Sequence, residues 1–246
     1  MTELRVLDKY DNNFTGPLPI EIVGQKKIKH LPLGENYFTG SILESYSEIQ
    51  SLDYLGLNGN SLNMKISKKC TLGYDNNYAG GIPAELGYMS SLKLLDIGGC
   101  NLTREIPKTL GQLKNLHSLF LQINHVSSQV PPEFFGLERL MLLDLSINEL
   151  TGEILARFSQ LKNLTLLNLF RNCFYGRIPE FVGELPNLEI LQVWDNNFTF
   201  YLPESIGRNG KLMFLDVTKN LTVLVPCDLC RGGRLNAKLL PRTDSG

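Results

Sequence analysis

The stretch 140-LMLLDLSINELTGEILARFSQLKN-163 decides how the whole chain is read. Leu140, Leu143 and Leu145 open it, Asn148 follows three residues on, and Leu150-Thr151-Gly152 precedes Ile154, Phe158 and Leu161. The same text returns with a period of 24 residues. The segments 92–115, 116–139, 164–187 and 188–211 keep both length and residue type, so 92–211 is tiled without a gap. Two further copies occupy 4–27 and 28–51, and a shorter one spans 212–234. A fixed period of this size is the signature of a repeat architecture.

The shared text is LxxLxLxxNxLTGxIPxxhGxLxx, with h apolar. LxxLxL reads as a short strand whose leucines point inward and whose intervening residues face out. The Asn that follows (Asn12, Asn36, Asn60, Asn124, Asn148, Asn172, Asn196 and Asn220) is expected buried at a turn. There its amide can satisfy backbone groups that the turn leaves unpaired. Cys100 takes that place once, a substitution that the leucine-rich repeat permits. Gly-x-Ile-Pro suits a turn and an extended segment, since Pro limits helix, and the last third suits a short helical or 3-10 turn. One coil cannot bury its own apolar face, so coils must stack. The expected fold is an α/β repeat solenoid. It is a leucine-rich-repeat right-handed superhelix, with short parallel strands on the concave face and 3-10 or short helical turns on the convex face. Residues 1–234 form an array of about ten repeats, irregular at 61–80, and 235–246 form a divergent tail.

The irregularity sits in 60-NSLNMKISKKCTLGYDNNYAGGIP-83, where the period fails. From Leu52 to Leu92 there are 40 residues, where two coils need 48. Residues 52–66 are the front of a repeat and 72–91 the back of another, with Asn76 as its ladder Asn. The stretch therefore reads as a deletion rather than a functional loop around Cys70, with one irregular coil or a kink expected. Other departures are Lys9 at an inward strand position, Arg104 and Phe200 where other repeats have Gly, and Leu43 and Leu155 where Pro is usual.

Composition excludes several classes. A net charge of −1 gives no basic balance for nucleic acid, and no apolar run reaches the ~18 residues of a membrane span. Five scattered cysteines do not make a disulfide framework. There is no phosphate loop, no HExxH spacing among His30, His117 and His125, and Cys227-Asp-Leu-Cys230 is a lone CxxC. Neither an enzyme nor a cofactor or metal site is expected.

Outward strand positions form columns. One holds Gly56, Asp96, Phe120, Asp144, Asn168, Gln192 and Asp216; the next holds Asn58, Gly98, Gln122, Ser146, Phe170, Trp194 and Thr218. A third adds Arg171, Asp195 and Lys219. The leucines already supply the core, so Phe120, Phe170 and Trp194 point to binding, for which aromatics and Arg are the usual anchors. The bland alternative is an ordinary solvated strand face. Ten coils at about 4.8 Å span roughly 45 Å, close to the ~40 Å of an extended twelve-residue peptide.

The TGxIP repeat, with "YLGLNGNSL", "SLFLQIN", "LDLSINELTGEI", "LTLLNLFRN", "GRIPEFVGELP", "VWDNNFT" and "LCRGGRL", resembles the ectodomains of plant CLAVATA-type receptor kinases, including the "barely any meristem" receptors, over about residues 3–235. That resemblance implies binding of a small secreted CLE-type peptide on the concave face. The contacts would come from Tyr74, Asp75, Asp96, Phe120, Gln122, Asp144, Phe170, Arg171, Trp194, Asp195 and Asp216. It also implies a co-receptor or full-length receptor as further partner, and an extracellular or plasma-membrane-surface location. The family's signal peptide, N-terminal cap, later repeats, membrane helix and kinase have no counterpart in the text, so kinase activity is not carried over. Five Asn-x-Ser/Thr sequons fit a secretory history. Asn13, Asn101, Asn163 and Asn197 are candidate glycosylation sites, whereas Asn220 doubles as a ladder residue. The competing readings are a secreted or decoy interaction or inhibitor module of the same repeat class, and a truncated product without function.

Overall fold

The computed structural model describes residues 3–62, 80–220 and 222–224, with Phe200 and the last three described by backbone only. Each LxxLxL phrase forms a three-residue strand. His30–Pro32, Tyr54–Gly56, Leu94–Asp96, Ser118–Phe120, Leu142–Asp144, Leu166–Asn168, Ile190–Gln192 and Phe214–Asp216 stack as one parallel eight-stranded sheet. Val6 adds an isolated parallel bridge to His30 at the end. Strands this short hold through the column behind them. Leu31, Leu55, Leu95, Leu119, Leu143, Leu167 and Leu191 are fully buried, each contributing about 1.5–3 kcal/mol of burial.

The Leu-Thr-Gly segments do more than turn. Thr103–Glu105, His125–Ser128, Glu149–Gly152, Cys173–Gly176, Asn197–Tyr201 and Thr222–Leu224 pair as a second, six-stranded sheet. Thr15–Pro17 and Tyr37–Thr39 form a two-stranded counterpart. An extended segment stacked on its own repeat has its neighbour's backbone within reach, and unpaired backbone groups are costly. The convex side carries 3-10 turns at Ile20–Gly24, Glu44–Glu48, Ala84–Tyr88, Lys108–Gln112, Pro132–Gly136 and Ala156–Gln160, and one α turn at Phe181–Glu184. Leu43 and Leu155 enter their turns at φ −78° and −67°, beside the −62° of Pro83 and Pro107. The missing prolines therefore cost no element.

The asparagine ladder joins the coils. Asn148 Nδ2 donates to the carbonyls of Leu121 (2.9 Å), Leu145 (3.1 Å) and Ser146 (3.1 Å). Its Oδ1 accepts the Val126 N–H at 3.1 Å. Asn36, Asn60, Asn124, Asn172 and Asn196 are likewise buried. Two members depart from the expected burial: Asn12 is exposed and Asn220 half-buried, both in end coils of the described array. In Asn12 the amide reaches only its own coil, at the Lys9 and Tyr10 carbonyls. At Cys100 the thiol takes over part of the role, donating to the Leu57 carbonyl at 3.1 Å. Burial pushes that thiol up to about 12.

Across the irregular region the strand face is continuous. Tyr54–Gly56 pairs residue for residue with Leu94–Asp96, with no strand between them. Leu57 N–H reaches Asp96 O at 2.8 Å and Gly59 N–H reaches Gly98 O at 2.9 Å. Forty residues thus span one step of the sheet, where the regular coils use 24, so the expected deletion from two coils is corrected to one step with 16 residues more than a regular coil. Cys70, Tyr74, Asp75 and Asn76 lie outside the described residues.

Two other departures have physical answers. Lys9 is not stranded in the core: its side chain is exposed, with Nζ 5.0 Å from the Phe14 ring centre. Arg104 takes the turn conformation that Gly16, Gly40, Gly152 and Gly176 take in their repeats, with φ +71°. Ser128 does the same at +78°, a strained site the sequence reading passed over.

Candidate functional site: the strand face of the coils

Stacked strands put residues of one column about 4.8 Å apart, which is also a ring-stacking distance. Phe170 and Trp194 use it: their centroids are 4.7 Å apart and their planes 10° from parallel. The Arg171 guanidinium lies 5.8 Å from the Trp194 ring centre and the Lys219 ammonium 5.6 Å. Both fall within cation–π range. Arg171 Nε is also 3.4 Å from Asp195 Oδ2. The result is an aromatic platform rimmed by two cations, half-exposed on the strand face.

The neighbouring carboxylates are partly committed to the scaffold. Asp144 Oδ1 accepts from Ser146 N (2.9 Å) and Oγ (2.6 Å), and its Oδ2 accepts from Asn168 Nδ2 (2.9 Å). Asp216 is buried and accepts from Thr218 N and Oγ1, so its side chain braces the strand exit. Asp96 accepts the Gly98 N–H at 3.1 Å. Burial raises its carboxyl above the ordinary range, with the Glu35 and Asp144 charges adding, while the Gly98 bond opposes. Phe120 is half-buried in the same column. Gln122 leans over Gly98, where an added Cβ would stand 2.6 Å from its Nε2, and its Oε1 is buried without a hydrogen-bond partner.

Of the expected contact residues, the fold thus places Asp96, Phe120, Gln122, Asp144, Phe170, Arg171, Trp194, Asp195 and Asp216 along one face. It brings Phe170, Arg171, Trp194 and Asp195 into one cluster. Tyr74 and Asp75 fall outside the described residues. The sequence reading missed a further column. At the third position of the repeat Tyr54, Leu94, Leu142, Leu166, Ile190 and Phe214 are half-buried along the edge, with buried Ser118 interrupting the apolar strip between Leu94 and Leu142. Met141 (41% exposed) and Met213 (59%) lie beside it. The signal was present as an apolar residue recurring between two inward leucines.

The sequons are also placed. Asn13, Asn101 and Asn197 each directly follow the ladder position, and all three are exposed. Asn163 is exposed near the convex turns, and its Nδ2 donates to the Glu138 carbonyl at 2.8 Å.

Comparison with known proteins agrees with this geometry. Residues 91–113 match the family model described as Leucine Rich Repeat. Among solved structures the chain is similar to a TDR receptor, at 37% identity and TM-score 0.77, over 96% of this chain and 43% of that one. It is similar to the plant peptide hormone receptor RGFR1 in complex with RGF2, at 29% identity and TM-score 0.77, over 87% and 32%. It is also similar to the Arabidopsis receptor kinase HAESA in complex with the peptide hormone IDA and the co-receptor SERK1, at 28% identity and TM-score 0.69, over 89% and 38%. The chain therefore spans less than half the length of each of these three chains. It is a leucine-rich-repeat solenoid, and the solved structures it matches include ectodomains of plant receptors.

Proposed function

We propose that the chain is a peptide-recognising piece of a plant receptor ectodomain, taking an extended secreted peptide of the CLE type along its strand face. The observation that carries this is the Phe170–Trp194 stack with Arg171 and Lys219 at its rim. The core is complete behind the strands, so rings held half-exposed in front of them are available to a ligand. Length supports the same reading. Eight steps of about 4.8 Å from Val6 to Phe214 give roughly 38 Å, matching an extended twelve-residue chain at about 3.3 Å per residue. The similar peptide hormone receptor RGFR1 is in complex with RGF2, and HAESA is in complex with the peptide hormone IDA and the co-receptor SERK1. On this reading the chain works outside the cell with a co-receptor or full-length receptor as second partner. Asn13, Asn101, Asn163 and Asn197 would then carry glycans. The test is calorimetric titration of the folded chain with synthetic twelve-residue CLE-type peptides. Micromolar or tighter binding that falls at least tenfold in Trp194→Ala supports the reading; a folded chain that binds none of them overturns it.

A further inference from the structure

The residue just before each ladder position has left-handed backbone throughout the described coils. Asp11, Glu35, Ile123, Ile147, Arg171, Asp195 and Lys219 have φ between +51° and +57°, with Gly59 and Gly99 at +67° and +62°. The chain leaves the strand here and turns inward to deliver the Asn. For residues with a Cβ this region is unfavourable, and for a β-branched residue it is a genuine outlier. Ile123 and Ile147 are β-branched, and Ile123 is 56% exposed, so it gains little from burial. The same backbone accepts charged residues or glycine in the other described coils. Strain kept at two adjacent coils, where Ile123 is exposed and Ile147 half-buried, points to a function for these aliphatic side chains.

The column carries a second observation. Read along the solenoid it runs Asp11, Glu35, Gly59, Gly99, Ile123, Ile147, Arg171, Asp195, Lys219. Acidic residues stand at one end, bare glycine next, and aliphatic residues in the middle; at the other end Arg171 and Lys219 lie against Trp194, with Asp195 between them and paired to Arg171. That order complements an extended chain that is basic at one end and apolar in the middle.

We infer that Ile123 and Ile147 form an aliphatic subsite that selects an apolar side chain in the middle of the bound peptide. This rests on the peptide-binding reading above. The subsite is continuous with the aromatic cluster, because Phe170 belongs to the coil after Ile147. The strain supplies a discriminating test, since stability and binding must move in opposite directions. Asn tolerates left-handed backbone, so Ile123→Asn and Ile147→Asn should each raise Tm by roughly 2–4 °C. The same changes should weaken a CLE-type peptide that wild type binds by about tenfold together. Replacing the central apolar residues of the peptide by Ser, one at a time, identifies the occupant. For that peptide, wild type and the double variant should bind alike.

Three outcomes overturn the inference. The variants could bind the parent peptide as well as wild type does, Tm could fall on substitution, or no peptide position could couple to the isoleucines. If wild type itself binds no peptide, the peptide-binding reading fails, and the subsite loses its occupant with it. Ile123→Val, which keeps the branched strain and trims one methyl, should leave Tm within a degree and weaken binding only slightly.

Discussion

Asn148→Ala probes the device that ties one coil to the next. The amide makes three donor bonds and accepts one, and the acceptor bond holds the N–H of fully buried Val126. With Ala in place that N–H loses its partner, and an orphaned buried donor costs about 1–3 kcal/mol. The carbonyls lose less. Leu121 O keeps the Asn124 bond and Leu145 O keeps the Asn172 bond. At about 0.5–1.5 kcal/mol each, the three donor bonds bring the total to roughly 2.5–7.5 kcal/mol. Thermal unfolding followed by circular dichroism should show Tm lower by roughly 5–30 °C, at 2–4 °C per kcal/mol. Asn12→Ala is the internal control. That residue is exposed and bonds only within its own coil, so the change should cost less than about 1 kcal/mol. Asn148→Ala melting within a degree of wild type, or Asn12→Ala costing as much as Asn148→Ala, would refute the ladder as the joint between coils.

Arg104→Gly should stabilise by about 1 kcal/mol, seen as a higher urea midpoint at unchanged slope, because it relieves a φ of +71°. Gly111→Ala should destabilise by about 1–3 kcal/mol in the same assay, since an added Cβ would stand 2.6 Å from the Glu133 backbone carbonyl carbon of the next coil. Asp96→Asn should raise stability at neutral pH. The folded carboxyl is raised above its ordinary value, so the folded state holds its proton more tightly and the native charge opposes folding as pH rises. The advantage of the variant should therefore shrink as pH falls below the ordinary carboxylate range, and a constant or growing advantage in acid would contradict that cause.

Much of the fold was legible because every coil repeats the same physical problem. Leu143, Leu145 and Asn148 mean the same thing as Leu167, Leu169 and Asn172, and a reading correct for one repeat is correct for its neighbours. The second sheet was not read, because Thr151-Gly152 looks like a turn alone; it becomes strand only when Thr151 pairs with Cys173 in the next coil. The columns predicted which residues share the outer face but not how much of each side chain remains available. Asp216 sits in the right column yet is buried by its bonds to Thr218. Arg171 and Lys219 were read as a column of their own, but not their approach to Trp194, because they stand one coil before and one coil after the ring. Isoleucine in left-handed backbone was invisible in the text, since nothing local marks the eighth position of the repeat as strained.

Amide hydrogen exchange of the chain, with and without a bound twelve-residue CLE-type peptide, tests the peptide-binding face most directly. The account predicts added protection across 118–123, 142–147, 166–171 and 190–195, with the 3-10 turns at Lys108–Gln112, Pro132–Gly136 and Ala156–Gln160 unchanged. Protection confined to those turns or to the second sheet would contradict it.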